Sequence, residues 1–145
     1  MVGYVTVGTN DLEKAVGFYT TLLALLDAKE VMNLGQMVMF GRELGDGMLA
    51  VCTAYDKQPA AVGNGHMVAL NVSSKENVDK IHSLALELGG TDEGAVGDRM
   101  PGFYVGYFRD LDGNKLAAYG MGCRVYTSEE AEDLLSEKLG GCRKM

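Results

Sequence analysis

The strongest constraint in this 145-residue chain is that its two halves repeat. A shift of 63 positions lays Asn10 on Ser73, Glu13 on Glu76, Ala15 on Val78, Phe18 on Ile81 and Tyr19 on His82. Upstream, the same shift lays Val5 and Val7 on Val68 and Leu70. A β-branched strand followed by a capped, apolar-striped helix therefore occurs twice at one offset, which predicts a duplicated supersecondary unit.

The elements of that unit follow from periodicity and capping. Asn10 with Glu13, Ser73 with Glu76 and Thr127 with Glu130 each pair a cap residue with a glutamate three positions on, and each precedes an apolar stripe at helical spacing. Gly89-Gly90 and Gly140-Gly141 stop the second and third helices. Strands are predicted near Tyr4–Gly8, Ala28–Met32, Gln36–Gly41, Met48–Thr53, Gly65–Val72, Thr91–Glu93, Gly102–Arg109 and Lys115–Tyr119. Leu111-Asp112-Gly113-Asn114 reads as the hairpin joining the last two. The expected fold is α+β: β-α-β-β-β modules over about 2–56 and 65–120 form a curved mixed sheet around a pocket, within a domain of residues 1–126. A helical tail is expected over 127–145.

Composition narrows the partners. Thirteen basic against 20 acidic residues give a net charge of −7. This disfavours nucleic acid and anionic membrane, both of which need a basic surface. Neutral and cationic small molecules are the easier ligands. No apolar run is long enough to cross a bilayer of about 30 Å, and the start has no signal-peptide pattern. Three cysteines (Cys52, Cys123 and Cys142) without Cys-x-x-Cys spacing suit a reducing cytoplasm.

Chemistry-bearing motifs are few. There is no nucleophile elbow or phosphate loop. Asp110-x-Asp112-Gly113 lacks the remaining ligands of a calcium loop and reads as a turn. His82 lies on a helix stripe, where a packed structural role is expected, and His66 follows the turn residues Gly63-Asn64-Gly65. Arg99, followed by Pro101, Gly102, Phe103 and Tyr104, offers an arginine–aromatic pair able to clasp a carboxylate or a ring; equally, it suits an exposed arginine beside ordinary strand residues. Methionines on several strands provide soft walls for a pocket or simply fill the core.

Residues 4–19, with Asn10-Asp11-Leu12 and Phe18-Tyr19, and residues 107–116, with Asp110-Leu-Asp-Gly-Asn114, resemble the opening helix and closing hairpin of the vicinal-oxygen-chelate superfamily. That group comprises glyoxalase I, bleomycin-resistance proteins and extradiol dioxygenases. The resemblance spans about residues 2–120 and implies a divalent metal held by four side chains, one each from the first and last strand of either half. Those positions fall on Tyr4, Ala50, Met67 and Ala117, a poor donor set in which His66 substitutes only if its strand slips by one residue.

The resulting expectation is a metal-independent protein with no cofactor. It would bind a small molecule in a pocket lined by Tyr4, Thr6, Met39, Ala50, Met67, Tyr104, Ala117 and Tyr119, with Arg99 at its mouth. By the same resemblance it forms a homodimer. The alternative is a metal-dependent lyase, isomerase or dioxygenase, of the lactoylglutathione-lyase or dioxygenase kind. It would recruit its metal through His66, a tyrosine or carboxylates elsewhere in the chain, and act on a substrate with vicinal oxygens. A third reading makes the acidic helix from Thr127 a docking segment for a partner.

Overall fold

The computed structural model describes residues 1–120. The helix expected from Thr127, the tail 127–145, Cys123 and Cys142 lie outside the described residues. The order is β1 (Tyr4–Gly8), α1 (Leu12–Ala24), β2 (Lys29–Asn33), β3 (Met37–Gly41), β4 (Met48–Cys52), β5 (Val68–Asn71), α2 (Lys75–Glu87), β6 (Thr91–Met100), β7 (Phe103–Arg109) and β8 (Lys115–Gly120). Both ends of α2 stand 63 residues after the ends of α1, so the repeat seen in the sequence is a repeat of structure.

Each half builds a four-stranded mixed sheet, ordered β1-β4-β3-β2 and β5-β8-β7-β6. The helix crosses over so that the last strand of each half returns beside the first in parallel, while the remaining pairs are antiparallel. Strand β6 runs on well beyond the Glu93 expected from sequence. Its ladder shifts register three times, and two of those irregularities meet at Gly94. A Gly-Ala-Val-Gly stretch that reads as a break is thus accommodated as bulges, where glycine is at home.

The helix caps sit one residue later than the pattern suggested. Asp11 and Ser74, not Asn10 and Ser73, accept from the backbone amides of Lys14 and Asn77 at 3.2 and 3.1 Å. All four side chains can cap a helix, so composition could not separate neighbours. Ser73 instead takes a left-handed backbone with φ 74°. Asn10 bonds across the molecule: its amide donates to Asp112 Oδ1, and its side chain exchanges hydrogen bonds with the backbone of Ala60.

One core lies under both helices. Tyr19, Leu22, Phe40, Val51, Ile81, Phe108 and Leu116 are almost wholly inaccessible and belong to a single cluster drawn from the two halves. Each such side chain contributes about 1.5–3 kcal/mol relative to exposure. A polar hub lies inside this core. Asp110, 5% exposed, accepts from the Tyr19 hydroxyl at 2.5 Å and from the amides of Asp112 and Asn114 and Asn114 Nδ2, each at 2.9 Å. Asn114 Nδ2 also donates to the Gly8 carbonyl at 2.8 Å. The β7–β8 hairpin is thereby tied to β1 and α1 of the other half.

Two outcomes test this account by urea unfolding. Tyr19→Phe, which removes one donor from a carboxylate that keeps three, is expected to cost about 2 kcal/mol, and Asp110→Ala, which strands all four donors, about 4 kcal/mol. Gly17, within α1, has nothing within 4 Å of an added Cβ, whereas a Cβ at Gly90 would stand 2.5 Å from the Arg109 carbonyl oxygen. Gly17→Ala should therefore stabilise by about 0.5–1 kcal/mol and Gly90→Ala should destabilise, by on the order of 2 kcal/mol.

Candidate functional site

Alternation along the strands divides each sheet into a helix-covered face and an opposite face. In the first half Val5, Val38, Phe40 and Leu49 join the core under the helices, which leaves Tyr4, Thr6, Met39, Met48 and Ala50 on the other side. Met39, Met48 and Ala50 form their own buried cluster there, with Val31, Met32 and Met37 against it. In the second half Phe108, Leu116 and Ala118 face the helices. Ala69, Val105, Tyr107, Ala117 and Tyr119 therefore occupy the opposite face, where the ladder sets Val105 beside Tyr119 and Tyr107 beside Ala117.

Most of the residues singled out from sequence share these opposite faces, but Tyr104 does not. It lies on the helix side, packed against the core, and its hydroxyl donates to Asp79 Oδ1 of α2 at 2.6 Å. That bond holds the phenol proton and pushes its pKa up to about 12, and Lys75 stands over the ring. Tyr107 occupies the face expected for Tyr104. The signal was present in the sequence: Asp112-Gly113 fixes the hairpin, and counting back from the core residue Phe108 turns Tyr107 and Val105 outward. Arg99 approaches the same place from β6. Its Cζ is 5.4 Å from the centre of the Tyr107 ring, and its Nη2 donates to the Ala95 carbonyl at 2.6 Å.

The two edge strands β1 and β5 flank a seam with a cleft at each end. One cleft, about 450 Å³, is lined by Val5–Gly8, Gly65–Val68, Asn114 and Lys115, together with residues 61–63. The other, about 520 Å³, is lined by Val68–Asn71, Val2, Val5, Gly47, Met48 and neighbouring residues of the first sheet and α1. The repeat relates them: Val5–Gly8 in one correspond to Val68–Asn71 in the other, and Asn114-Lys115 to Gly47-Met48. Thr6 thus lines the first cleft and Met67 lines both, while Tyr4, Met39, Ala50, Ala117, Tyr119 and Arg99 lie on the sheet faces outside both. Sequence reasoning did not single out Lys115, Tyr107 or Asn71.

The four positions at which metal ligands were implied are well defined. Thr6 pairs with Ala50 and Ala69 with Ala117, so the two alanines are equivalent residues of the returning strands, and both are buried. Tyr4 and Met67 are 51% and 45% exposed. Two methyl groups, a thioether and a phenol are not a donor set for a hard divalent cation. Strand β5 keeps the unslipped register, with Val68 and Leu70 packed against the core. His66 precedes that strand, exposed, in a turn where its amide donates to the Gly63 carbonyl at 3.2 Å. Among the described residues no three His, Cys, Asp or Glu side chains gather closely enough to hold a metal. His82 is buried, and its Nε2 lies 3.1 Å from both Asp92 Oδ1 and the Tyr107 carbonyl, which ties α2 to β6 and β7.

Comparison with known proteins agrees with this architecture. Residues 1–118 match the family model described as glyoxalase/bleomycin resistance protein/dioxygenase superfamily. A glyoxalase/bleomycin resistance protein from Albidiferax ferrireducens T118 is 34% identical with a TM-score of 0.75, over 83% of this chain and 98% of that one. A family enzyme from Burkholderia phytofirmans PsJN shares the fold at 18% identity and a TM-score of 0.65, over 82% of this chain and 97% of the other. A lactoylglutathione lyase from Agrobacterium tumefaciens does so at 24% identity and a TM-score of 0.60, over 83% and 92%. The comparison with curated proteins gives no match. With its duplicated β-α-β-β-β plan, its Asp110–Asn114 hairpin and a match over nearly all the described residues, the chain belongs to the glyoxalase/bleomycin resistance protein/dioxygenase superfamily.

Proposed function

We propose that this protein binds a small organic molecule at the seam between its two halves and the sheet faces beside it, without the metal that the family plan would place there. The observation that carries this reading is the pair Ala50 and Ala117. They are equivalent residues on the parallel-paired return strands, and both are reduced to buried methyl groups. A duplicated fold that has given up a donor at both positions retains its cavity and forgoes Lewis-acid chemistry. Methionine and aromatic side chains around the seam supply an adaptable apolar wall, the character of a binding or sequestering protein.

Exposed apolar side chains at the N-terminal ends of the edge strands, Tyr4 and Met67, favour a homodimer that covers them. A cytoplasmic setting suits the three cysteines, which lack Cys-x-x-Cys spacing. The competing reading, a metal-dependent lyase, isomerase or dioxygenase, has one observation in its favour, which is that His66 lines the smaller cleft.

The two readings diverge in measurable ways. Protein purified without chelator and dialysed against Zn²⁺, Ni²⁺ or Mn²⁺ is expected to retain well under one metal per chain by elemental analysis; a stoichiometric metal lost in His66→Ala would establish the rival. A thermal-shift screen of aldehydes, glutathione adducts, catechols and cationic drugs should yield a ligand that raises Tm with no metal added, by about 2.7 kcal/mol of apparent stability at a hundredfold excess over Kd. Thr6→Trp, which fills the smaller cleft at an exposed position, should abolish that shift and leave the unliganded Tm within a few degrees. A ligand that shifts both proteins equally would place binding elsewhere.

A further inference from the structure

The chain is acidic overall, with a net charge of −7, yet the helix-free face of its second half is not. The Tyr107 ring is flanked by two cations, the Arg99 guanidinium 5.4 Å from its centre and Lys115 Nζ at 5.2 Å. They arrive from opposite sides, Arg99 from β6 and Lys115 from β8, the two neighbours of β7. Among the described residues neither forms an ion pair. Glu93, the acid nearest Lys115, already gives both oxygens to Arg109, at 3.1 and 3.2 Å, and that guanidinium, with a smaller contribution from Lys115, holds its carboxyl below the usual carboxylate range. Asp92, Asp110 and Asp79 are engaged with His82, Tyr19 and Tyr104, and Asp98, although next to Arg99 in the chain, is set by the ladder beside Tyr104 on the helix side of the sheet.

The arginine is positioned by the backbone as well as by the ring. A Cβ at Gly94 would stand 2.9 Å from Tyr107 Cδ2 and 3.4 Å from Arg99 Nη2, and one at Gly97 would stand 3.2 Å from Arg99 Nη1. The two glycines of the bulged strand thus leave the slot in which the guanidinium folds back, anchored by its bond to the Ala95 carbonyl. Lys115 lines the smaller cleft as well, so the charged face is continuous with the seam. The equivalent residue of the larger cleft is Met48, with no charge.

Resting on the small-molecule reading above, we infer that the ligand is an organic anion. Its acidic group sits between Arg99 and Lys115, and its ring or apolar body lies on Tyr107, Phe103 and Tyr119. Phe103 and Tyr119 already pack against each other, with ring centres 5.4 Å apart and planes tilted by 36°. Two cations held beside aromatic faces, with Glu93 paired to Arg109 and Asp98 on the other side of the sheet, favour a carboxylate, sulfonate or phosphate over the neutral or cationic ligand that net charge alone suggests.

The test uses the full-length protein and two fluorescent probes of similar shape, anionic 8-anilinonaphthalene-1-sulfonate and neutral N-phenyl-1-naphthylamine. In low salt the sulfonate should bind saturably and at least tenfold more tightly than the amine. Lys115→Met, which installs the residue of the equivalent position, and Arg99→Gln should each weaken the sulfonate five- to tenfold and leave the amine unchanged, as should raising the salt from 20 to 500 mM. Lys14→Met, at an exposed lysine of α1, serves as the control that changes neither, and circular dichroism melts verify that each variant is folded. Equal binding of the two probes, insensitive to both variants and to salt, would overturn the anion assignment and leave the small-molecule reading standing. Failure of the native, folded protein to bind either probe would count against both.

Discussion

The carboxylate of Asp110 is the interaction on which the relation between the two halves depends. It is a charged group inside an apolar core, and leaving it or its donors unpaired would be costly. It is satisfied by four donors: the Tyr19 hydroxyl from the first half and three N–H groups of its own hairpin. Tyr19 is held in turn, because burial and the adjacent Asp110 carboxylate both push its pKa well above the ordinary phenol value, so the hydroxyl remains a donor. Asn114 extends the same hub to the Gly8 carbonyl at the end of β1. Two helices and two sheets could pack with some freedom through apolar contacts alone. The hub sets where the second hairpin meets the first helix, and with it the width of the seam between β1 and β5.

Duplication explains why that seam carries two clefts of similar size with different chemistry. Related backbone segments line both, but Lys115 in one stands where Met48 stands in the other. The sheet faces have diverged in the same way. The first presents methionines, with Met39 paired to Ala50, and the second presents rings and cations, with Tyr107 paired to Ala117. Packing on the helix side constrains both copies alike, since Phe40 opposite Leu49 is repeated by Phe108 opposite Leu116. Side chains on the opposite face escape that constraint and are the ones free to specialise.

This division also separates what was legible in the sequence from what was not. The offset of 63, both helices, the hairpin at Asp112-Gly113 and the strands around the core follow from local periodicity, because burial against a helix imposes a pattern along the chain. Two features escaped. The cap positions depended on choosing between neighbours that cap equally well, and the length of β6 depended on bulges, which erase alternation. For the site, Thr6, Met67 and Arg99 could be read as candidates because their strands alternate regularly or their residue type is conspicuous. Tyr104 was assigned to the wrong face for want of a register, and Lys115 was overlooked because a lysine beside a turn usually signals only solvent. Tertiary neighbours, not residue type, give Lys115 its role at the cleft.

The same distinction bears on charge. A net charge of −7 describes the field far from the protein, where all groups sum and salt screens them within about 8 Å at physiological ionic strength. A bound ligand meets the field at a few ångströms, which is set by the nearest charges and by which of them are already paired. On the second sheet Glu93 is neutralised by Arg109 and Asp110 is enclosed by donors, while Arg99 and Lys115 stand beside an aromatic ring. The distant field therefore slows the approach of an anion, whereas the local arrangement holds one once it has arrived. Affinity in such a site would grow with the ligand's contact area on the rings as much as with its charge, which selects organic anions over small inorganic ones.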